Sequence, residues 1–175
     1  GKTTASRIIS AGQGPLFSAD VVVRKLYKTN KFRKLVSKKF KINNNSNIKS
    51  VLKKLIIKDK KNIRMLEKII HPFVRKEMKK FIIKNKYKKL LFFEIPLLIE
   101  SNLIKNFDII LFIKANTNIR LKRFKSKGGN IKLFKILNNK QFSDAKKIKY
   151  CDYVIVNEKN LKILKNKLLD ILIKI

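Results

Sequence analysis

Leu90-Leu91-Phe92-Phe93-Glu94-Ile95-Pro96-Leu97-Leu98-Ile99-Glu100 is the stretch on which the reading of this chain turns. Its first half, Leu90 to Ile95, is almost continuously apolar over the length of one strand. That is the pattern of a strand covered on both faces rather than one. Three further runs read the same way: Pro15 to Ala19, Ile109 to Ile113, and Tyr153 to Val156 between Asp152 and Asn157. Strands buried on both faces favour parallel pairing. Helical periods lie between them. Ile63, Leu66, Ile70 and Phe73 lead up to and around a break predicted at Pro72, and Val74, Met78, Phe81 and Ile82 follow it. After a cap at Asn160, Leu161, Leu164, Leu168, Ile171 or Leu172, and Ile175 repeat at three- and four-residue spacing. Strands alternating with helices predict an open α/β sheet.

The remaining segments fit one domain with insertions. Lys28 to Lys61 has an Asn-rich stretch, Asn43-Asn44-Asn45-Ser46-Asn47, leading into Ile48, Val51, Leu52, Leu55 and Ile56, and reads as a loop and a helix outside the sheet. Lys125 to Asn130, with Gly128-Gly129, is a second polar break. At 175 residues and 45% hydrophobic content the chain can bury a single core. No run of about 18 uncharged apolar residues occurs, and no segment has the order of a signal peptide, so a soluble cytoplasmic protein is expected, with no membrane partner. Cys151 is the one cysteine and His71 the one histidine, which excludes an internal disulfide and a zinc-ligand cluster.

The formal charge of +34 taken alone suggests a polyanion as partner. Lysine far outnumbers arginine, however, and Lys, Asn and Ile are spread through every segment. All three are encoded by codons made only of A and T, so an AT-rich genome accounts for the charge as a solvated surface. Nucleic acid is therefore not the expected partner, and the sequence does not indicate an oligomeric state.

Gly1-Lys2-Thr3-Thr4, followed by the helix-compatible Ala5 to Ser10, is the tail of G-x-x-x-x-G-K-[ST]. In that motif backbone N–H groups wrap phosphates, the lysine reaches the β and γ oxygens, and the hydroxyl binds Mg²⁺. A tripeptide alone is weak evidence. Phe17-Ser18-Ala19-Asp20-Val21-Val22-Val23-Arg24 supplies context, because a carboxylate just past an apolar strand lies at the carboxyl edge of a parallel sheet, where such folds bind ligands. Asp20 can accept a hydroxyl proton, orient Mg²⁺, or cap a helix beginning at Val21; these roles can coexist.

In order and spacing these elements resemble the dephospho-coenzyme A kinases. That family carries a phosphate loop, an Asp-Ala-Asp segment with an arginine four residues later, a His-Pro pair, and a Pro-Leu-Leu-hydrophobic-Glu strand end. An arginine-bearing lid and a terminal Ala-Asp-x-Val-Ile-x-Asn complete the pattern. Matching them here are Ser18-Ala19-Asp20 with Arg24, His71-Pro72, Pro96-Leu97-Leu98-Ile99-Glu100, and Leu121-Lys122-Arg123 with Gln141 and Lys147. Cys151-Asp152-Tyr153-Val154-Ile155-Val156-Asn157 closes the series. The sequence departs from the family at Ser18, Lys127 and Cys151, where the family has an acid, a second lid arginine and an alanine.

The resemblance implies an α/β fold of P-loop NTPase type, a parallel sheet with flanking helices. A core of 1–27, 88–119 and 150–175 would carry a helical substrate-binding insertion, 28–87, and a lid, 120–149. It implies phosphorylation of the ribose 3′-hydroxyl of dephospho-coenzyme A by ATP with Mg²⁺. Gly1, Lys2, Thr3 and Thr4 would hold the nucleotide, with Thr3 on the metal. Asp20, Lys2 and Arg123 would be catalytic, and Arg24, His71, Glu100, Lys127 and Gln141 would face the substrate. Each has a plain alternative: Arg123 on a solvated helix face, His71 in packing or capping, Glu100 as a helix cap, Cys151 as a small buried side chain. Two rival functions are another small P-loop nucleoside or nucleotide kinase, and an inactive basic nucleic-acid-binding remnant. The first strand and the leading residues of the phosphate loop lie outside the 175 residues, so weak ATP binding and little activity are expected of residues 1–175 alone.

Overall fold

In the computed structural model, which describes residues 1–43 and 47–175, the chain divides into two compact units. One comprises Gly1–Leu16 with Lys88–Ile175, the other Phe17–Tyr87.

The first unit begins with helix α1, Lys2–Ser10, capped by Gly1. Strand β1, Leu16–Ser18, starts at the edge of this unit. Strand β2, Phe92–Glu94, lies beside the approach to β1, where the Phe92 N–H donates to the Pro15 carbonyl at 3.0 Å. A Cβ on Gly14 would fall 2.3 Å from the Leu90 carbonyl oxygen, so the close approach of these two backbones requires glycine. Strand β3, Leu111–Lys114, pairs in parallel with β4, Tyr153–Val156, placing Leu111 opposite Tyr153 and Lys114 opposite Val156. The parallel pairing requires a crossover. Helices α6, Thr117–Lys125, α7, Ile131–Asn139, and α8, Asp144–Ile148, supply it. Helix α9, Leu161–Leu172, follows β4 and packs against α1. Their apolar faces meet over the strands in a core of Ala5, Ile9, Ile155, Leu164, Leu168 and Ile171. Leu168 is fully buried, which is worth about 2–3 kcal/mol of transfer free energy.

The expected strands are all present but shorter than their apolar runs, except Tyr153–Val156, whose bounds coincide. In the turn after β2 Leu97 has φ +57°, a left-handed conformation costing a branched side chain roughly 1–2 kcal/mol. The Leu97 carbonyl accepts from both the N–H and the hydroxyl of Ser101, at 2.9 and 2.6 Å, which offsets part of that cost. Gly128, at φ +73°, turns the chain after α6 and sends its N–H to the Lys125 carbonyl.

The second unit is helical: α2, Ala19–Leu26, α3, Asn30–Phe40, α4, Ile48–Lys58, and α5, Lys61–Lys84. It closes around Leu26, Phe32, Val36, Ile42, Ile48 and Leu52. Phe32 stands edge-on to both Tyr27 and Phe73. The segment expected to hold one helix holds two, α3 and α4. The predicted Asn-rich loop falls partly on Asn44 to Ser46, outside the described residues.

Two local expectations are corrected. No break occurs at Pro72, and α5 runs through it. Proline deprives the Lys68 carbonyl of its usual donor, and Lys68 and Pro72 both lie on the exposed side of the helix. Asp20 does not cap its helix: α2 starts at Ala19 with Ser18 at the cap position, and Asp20 stands in the first turn, where a carboxylate complements the helix dipole.

Asparagine recurs at helix starts. Asn47, Asn116, Asn130 and Asn160 each accept a backbone N–H in the first turn of α4, α6, α7 and α9. Each such cap contributes about 1 kcal/mol, so the Asn-rich composition does structural work at these sites.

Candidate active site

Gly1, Lys2, Thr3 and Thr4 occupy the amino end of α1 and are exposed. The first N–H groups of a helix have no partners within it and point outward with the positive end of the dipole, a ready seat for phosphate. The Thr3 hydroxyl donates to the Glu94 carboxylate at the end of β2. Glu94 is 5% exposed. Glu94 is not among the site residues expected from sequence, although it carries the same signal as Asp20: a carboxylate at the end of an apolar strand.

Arg123 approaches the same place from α6. Its guanidinium donates to the Asn157 carbonyl at 3.2 Å. Asn157 is buried just past β4, and its N–H extends the strand pairing by donating to the Lys114 carbonyl at 2.7 Å. A Cβ at Gly1 would come within 3.0 Å of Asn157 Nδ2 and 3.9 Å of the Arg123 guanidinium, so the backbone there is packed tightly enough to favour glycine. Asp152, at the other end of β4, accepts the Ile110 N–H at 2.7 Å. The Asp and Asn that bracket Tyr153–Val156 thus have distinct tasks: Asp152 sets the strand against β3, and Asn157 joins it to Arg123 and the start of α1.

Positive charge gathers here. Arg123, Lys127 and Lys2 are all near enough for their charges to act at the Gly1 backbone, with the Glu94 carboxylate opposing them. A concentration of cations around the amino end of a helix favours a polyphosphate.

A second polar cluster joins the turn after β2 to the segment around α8. Glu100 Oε1 accepts the Phe142 N–H at 2.9 Å and lies 3.5 Å from Lys147 Nζ. Lys147 also donates to Gln141 Oε1 at 2.9 Å and passes over the Phe112 ring. The Glu100 and Lys147 side chains are only 10% and 9% exposed. Burial lowers the Lys147 pKa although Glu100 raises it. Cys151 donates its thiol to the Lys147 carbonyl at 3.2 Å, and burial, then Asp152, pushes its pKa up, so it is a poor nucleophile.

The other sequence-predicted residues belong to the helical unit. Asp20 and Arg24 are exposed on α2, four residues apart on one face, and His71 is half-buried in α5. The first unit therefore brings together Gly1, Lys2, Thr3, Arg123 and Lys127, with Glu94 added, and separately Glu100, Gln141 and Lys147.

A hydroxyl and a carboxylate in contact are the hard oxygen donors a magnesium ion takes. No group of three or more His, Cys, Asp or Glu side chains suited to a metal occurs among the described residues. Thr3 and Glu94 thus fit an ion whose other ligands come from nucleotide phosphates and water. No helix among the described residues is long and apolar enough to cross a membrane.

Known proteins resemble this chain along its whole length. Residues 1–162 match the family described as CoaE, dephospho-CoA kinase. The chain is 33% identical over 167 residues to a dephospho-CoA kinase of Bartonella quintana, spanning 93% of this chain and 86% of that one. It is 30% identical over 172 residues to one of Listeria monocytogenes, spanning 93% and 85%. Among solved structures, a Thermus thermophilus protein superposes with a TM-score of 0.78 at 22% identity, covering 100% of this chain and 92% of that one. A dephospho-CoA kinase from Campylobacter jejuni gives 0.61 at 21%, covering 99% and 90%.

Proposed function

The chain belongs to the dephospho-CoA kinase family, which carries out the final step of coenzyme A biosynthesis, and from that premise we propose how its residues divide the work. The amino end of α1 seats the β- and γ-phosphates of ATP, with Lys2 neutralising their oxygens. Magnesium bound by the nucleotide would draw charge from the same oxygens, and Thr3 and Glu94 are the residues that would hold it. Asp20 accepts the proton of the ribose 3′-hydroxyl as that oxygen attacks the γ-phosphorus. The bond from the γ-phosphorus to the bridging oxygen breaks, and ADP leaves. Arg123, anchored on Asn157, balances charge on the transferring group, and Lys127 adds a point charge without the bidentate fork of arginine. Arg24 and His71 face the acceptor substrate. The reaction takes place in the cytoplasm.

The observation that carries this reading is the convergence at one helix end of Lys2, Thr3, Glu94 and Arg123, drawn from α1, β2 and α6. A small P-loop kinase for other acceptors would use the same phosphate seat, so the acceptor is the point to test. With ATP and Mg²⁺, a chain carrying the first strand and the whole phosphate loop ahead of Gly1, the parent for every variant below, should release ADP fast with dephospho-coenzyme A and slowly with adenosine or other nucleosides, and the product should gain one phosphate on the ribose 3′-oxygen. A clearly better nucleotide or nucleoside acceptor would refute the substrate assignment.

A further inference from the structure

We propose that the buried Glu100–Lys147 pair is a positioning latch that ties the turn after β2 to the lid helices carrying Arg123. The inference rests on the reading of Arg123 as a phosphoryl-transfer residue, and on the geometry of both ends of the pair.

At one end, Glu100 lies six residues after Glu94, beyond the turn in which Leu97 takes its left-handed conformation. A strained turn keeps its shape only where its surroundings hold it. Ser101 bonds the Leu97 carbonyl from within the turn, and Glu100 reaches outside it to the Phe142 N–H and Lys147 Nζ. At the other end, Gln141 and Lys147 span the joint between α7 and α8. Helix α7 packs on α6 through Phe134 against Phe124, and between them Gly129 lies so close to the Phe124 ring that a Cβ there would collide with it. Arg120, one turn before Arg123 on α6, is near enough for its charge to act on Lys147. A shift of Glu100 would thus pass through Lys147 to α6.

The pair is a poor device for stability. Desolvation outweighs the attraction of Glu100 in setting the state of Lys147, and buried ion pairs commonly contribute less to stability than apolar residues of the same volume would. What such a pair does supply is a definite geometry, because neither charge can be left buried alone. Glu100 and Gln141, which the family resemblance alone would turn toward substrate, instead hold Phe142 and Lys147 through their Oε1 atoms. Lys147 acts on the reaction through Glu100 and the lid, without touching the reacting atoms.

The test uses Glu100→Leu, Lys147→Met and the double variant. Each single variant should unfold at lower temperature than the parent, and the double should recover most of that loss. Turnover of the double should nevertheless stay about 10- to 10²-fold down, as misplacement of a transition-state group does, with the KM for dephospho-coenzyme A little changed. Recovery of turnover together with stability would reduce the pair to packing and overturn the latch. A raised acceptor KM in Glu100→Leu that Lys147→Met does not share would also overturn it, by putting Glu100 on the substrate. Amide exchange along residues 117–125 of the same proteins needs no turnover. The latch predicts faster exchange there in the double variant, and unchanged exchange refutes it, whereas a parent enzyme inert toward dephospho-coenzyme A would refute only the functional reading.

Discussion

The two units of this molecule are held together by different means. In the unit that begins with α1, side-chain hydrogen bonds join elements far apart in sequence: Thr3 to Glu94, Phe142 to Glu100, Ile110 to Asp152, Asn116 to Glu158, and Arg123 to Asn157. In the helical unit the polar side chains of Thr29, Asn47 and Asp59 bond to backbone N–H groups two or three residues on, at helix starts. Its interior is filled by Phe32, Val36 and Leu52. The difference follows from what each must do. Phosphoryl transfer needs charges from several elements fixed to fractions of an ångström, and directional bonds do that. A helical body proposed to receive the acceptor needs shape, which apolar packing supplies with more tolerance to exchange.

Asp20 is the residue with which to break this contrast, because it stands on the helical unit yet is proposed to take the acceptor's proton. Asp20→Asn should lower turnover by about 10²- to 10⁴-fold while leaving ATP affinity and thermal stability nearly unchanged, since the side chain is exposed. A fall in stability with turnover intact would return Asp20 to its helix-dipole role.

Phe32→Ala is the converse. Removing a fully buried ring that meets Tyr27 and Phe73 should cost about 3–5 kcal/mol in denaturant unfolding. Turnover per folded molecule should change far less than in Asp20→Asn.

The smallest expected effect sharpens the account of the directional unit. Lys147, facing Glu100, Asp144 and Arg120, has a pKa held below 10.5 in the fold. The unfolded chain therefore keeps this proton to higher pH, and between the lowered value and 10.5 the group makes stability rise with pH. Below that window both states are protonated and the contribution is constant. Unfolding curves of the parent and the Glu100→Leu/Lys147→Met variant should diverge on the alkaline side, with the rise smaller in the variant. Parallel curves would mean that Lys147 is not desolvated as its burial indicates.

Sequence legibility divided along the same line. The apolar runs located β1 to β4, and three- and four-residue spacing found α9 with its cap at Asn160, because burial periodicity and capping are local properties. Gly-Lys-Thr could be matched to the start of α1 for the same reason. Glu94 went unassigned because its partner Thr3 is 91 residues away, and the commitment of Glu100 to Phe142 depends on a fold that closes 42 residues. The break expected at Pro72 rests on the helix rule alone, and on the exposed side of a long helix that rule is relaxed. The caps at Asn47, Asn116 and Asn130 were hidden by composition: in an Asn-rich chain each looks like background.

The central claim is that the end of α1, closed by Glu94, is where phosphoryl transfer takes place. Steady-state turnover with dephospho-coenzyme A and ATP across a magnesium titration, in the parent and in Glu94→Gln, tests it most directly. The account predicts that Glu94→Gln lowers turnover by about 10²- to 10³-fold and shifts half-saturation to higher magnesium, because a carboxylate on the Thr3 hydroxyl is lost from the phosphate seat. A Glu94→Gln enzyme with parental turnover and an unshifted magnesium curve would contradict it.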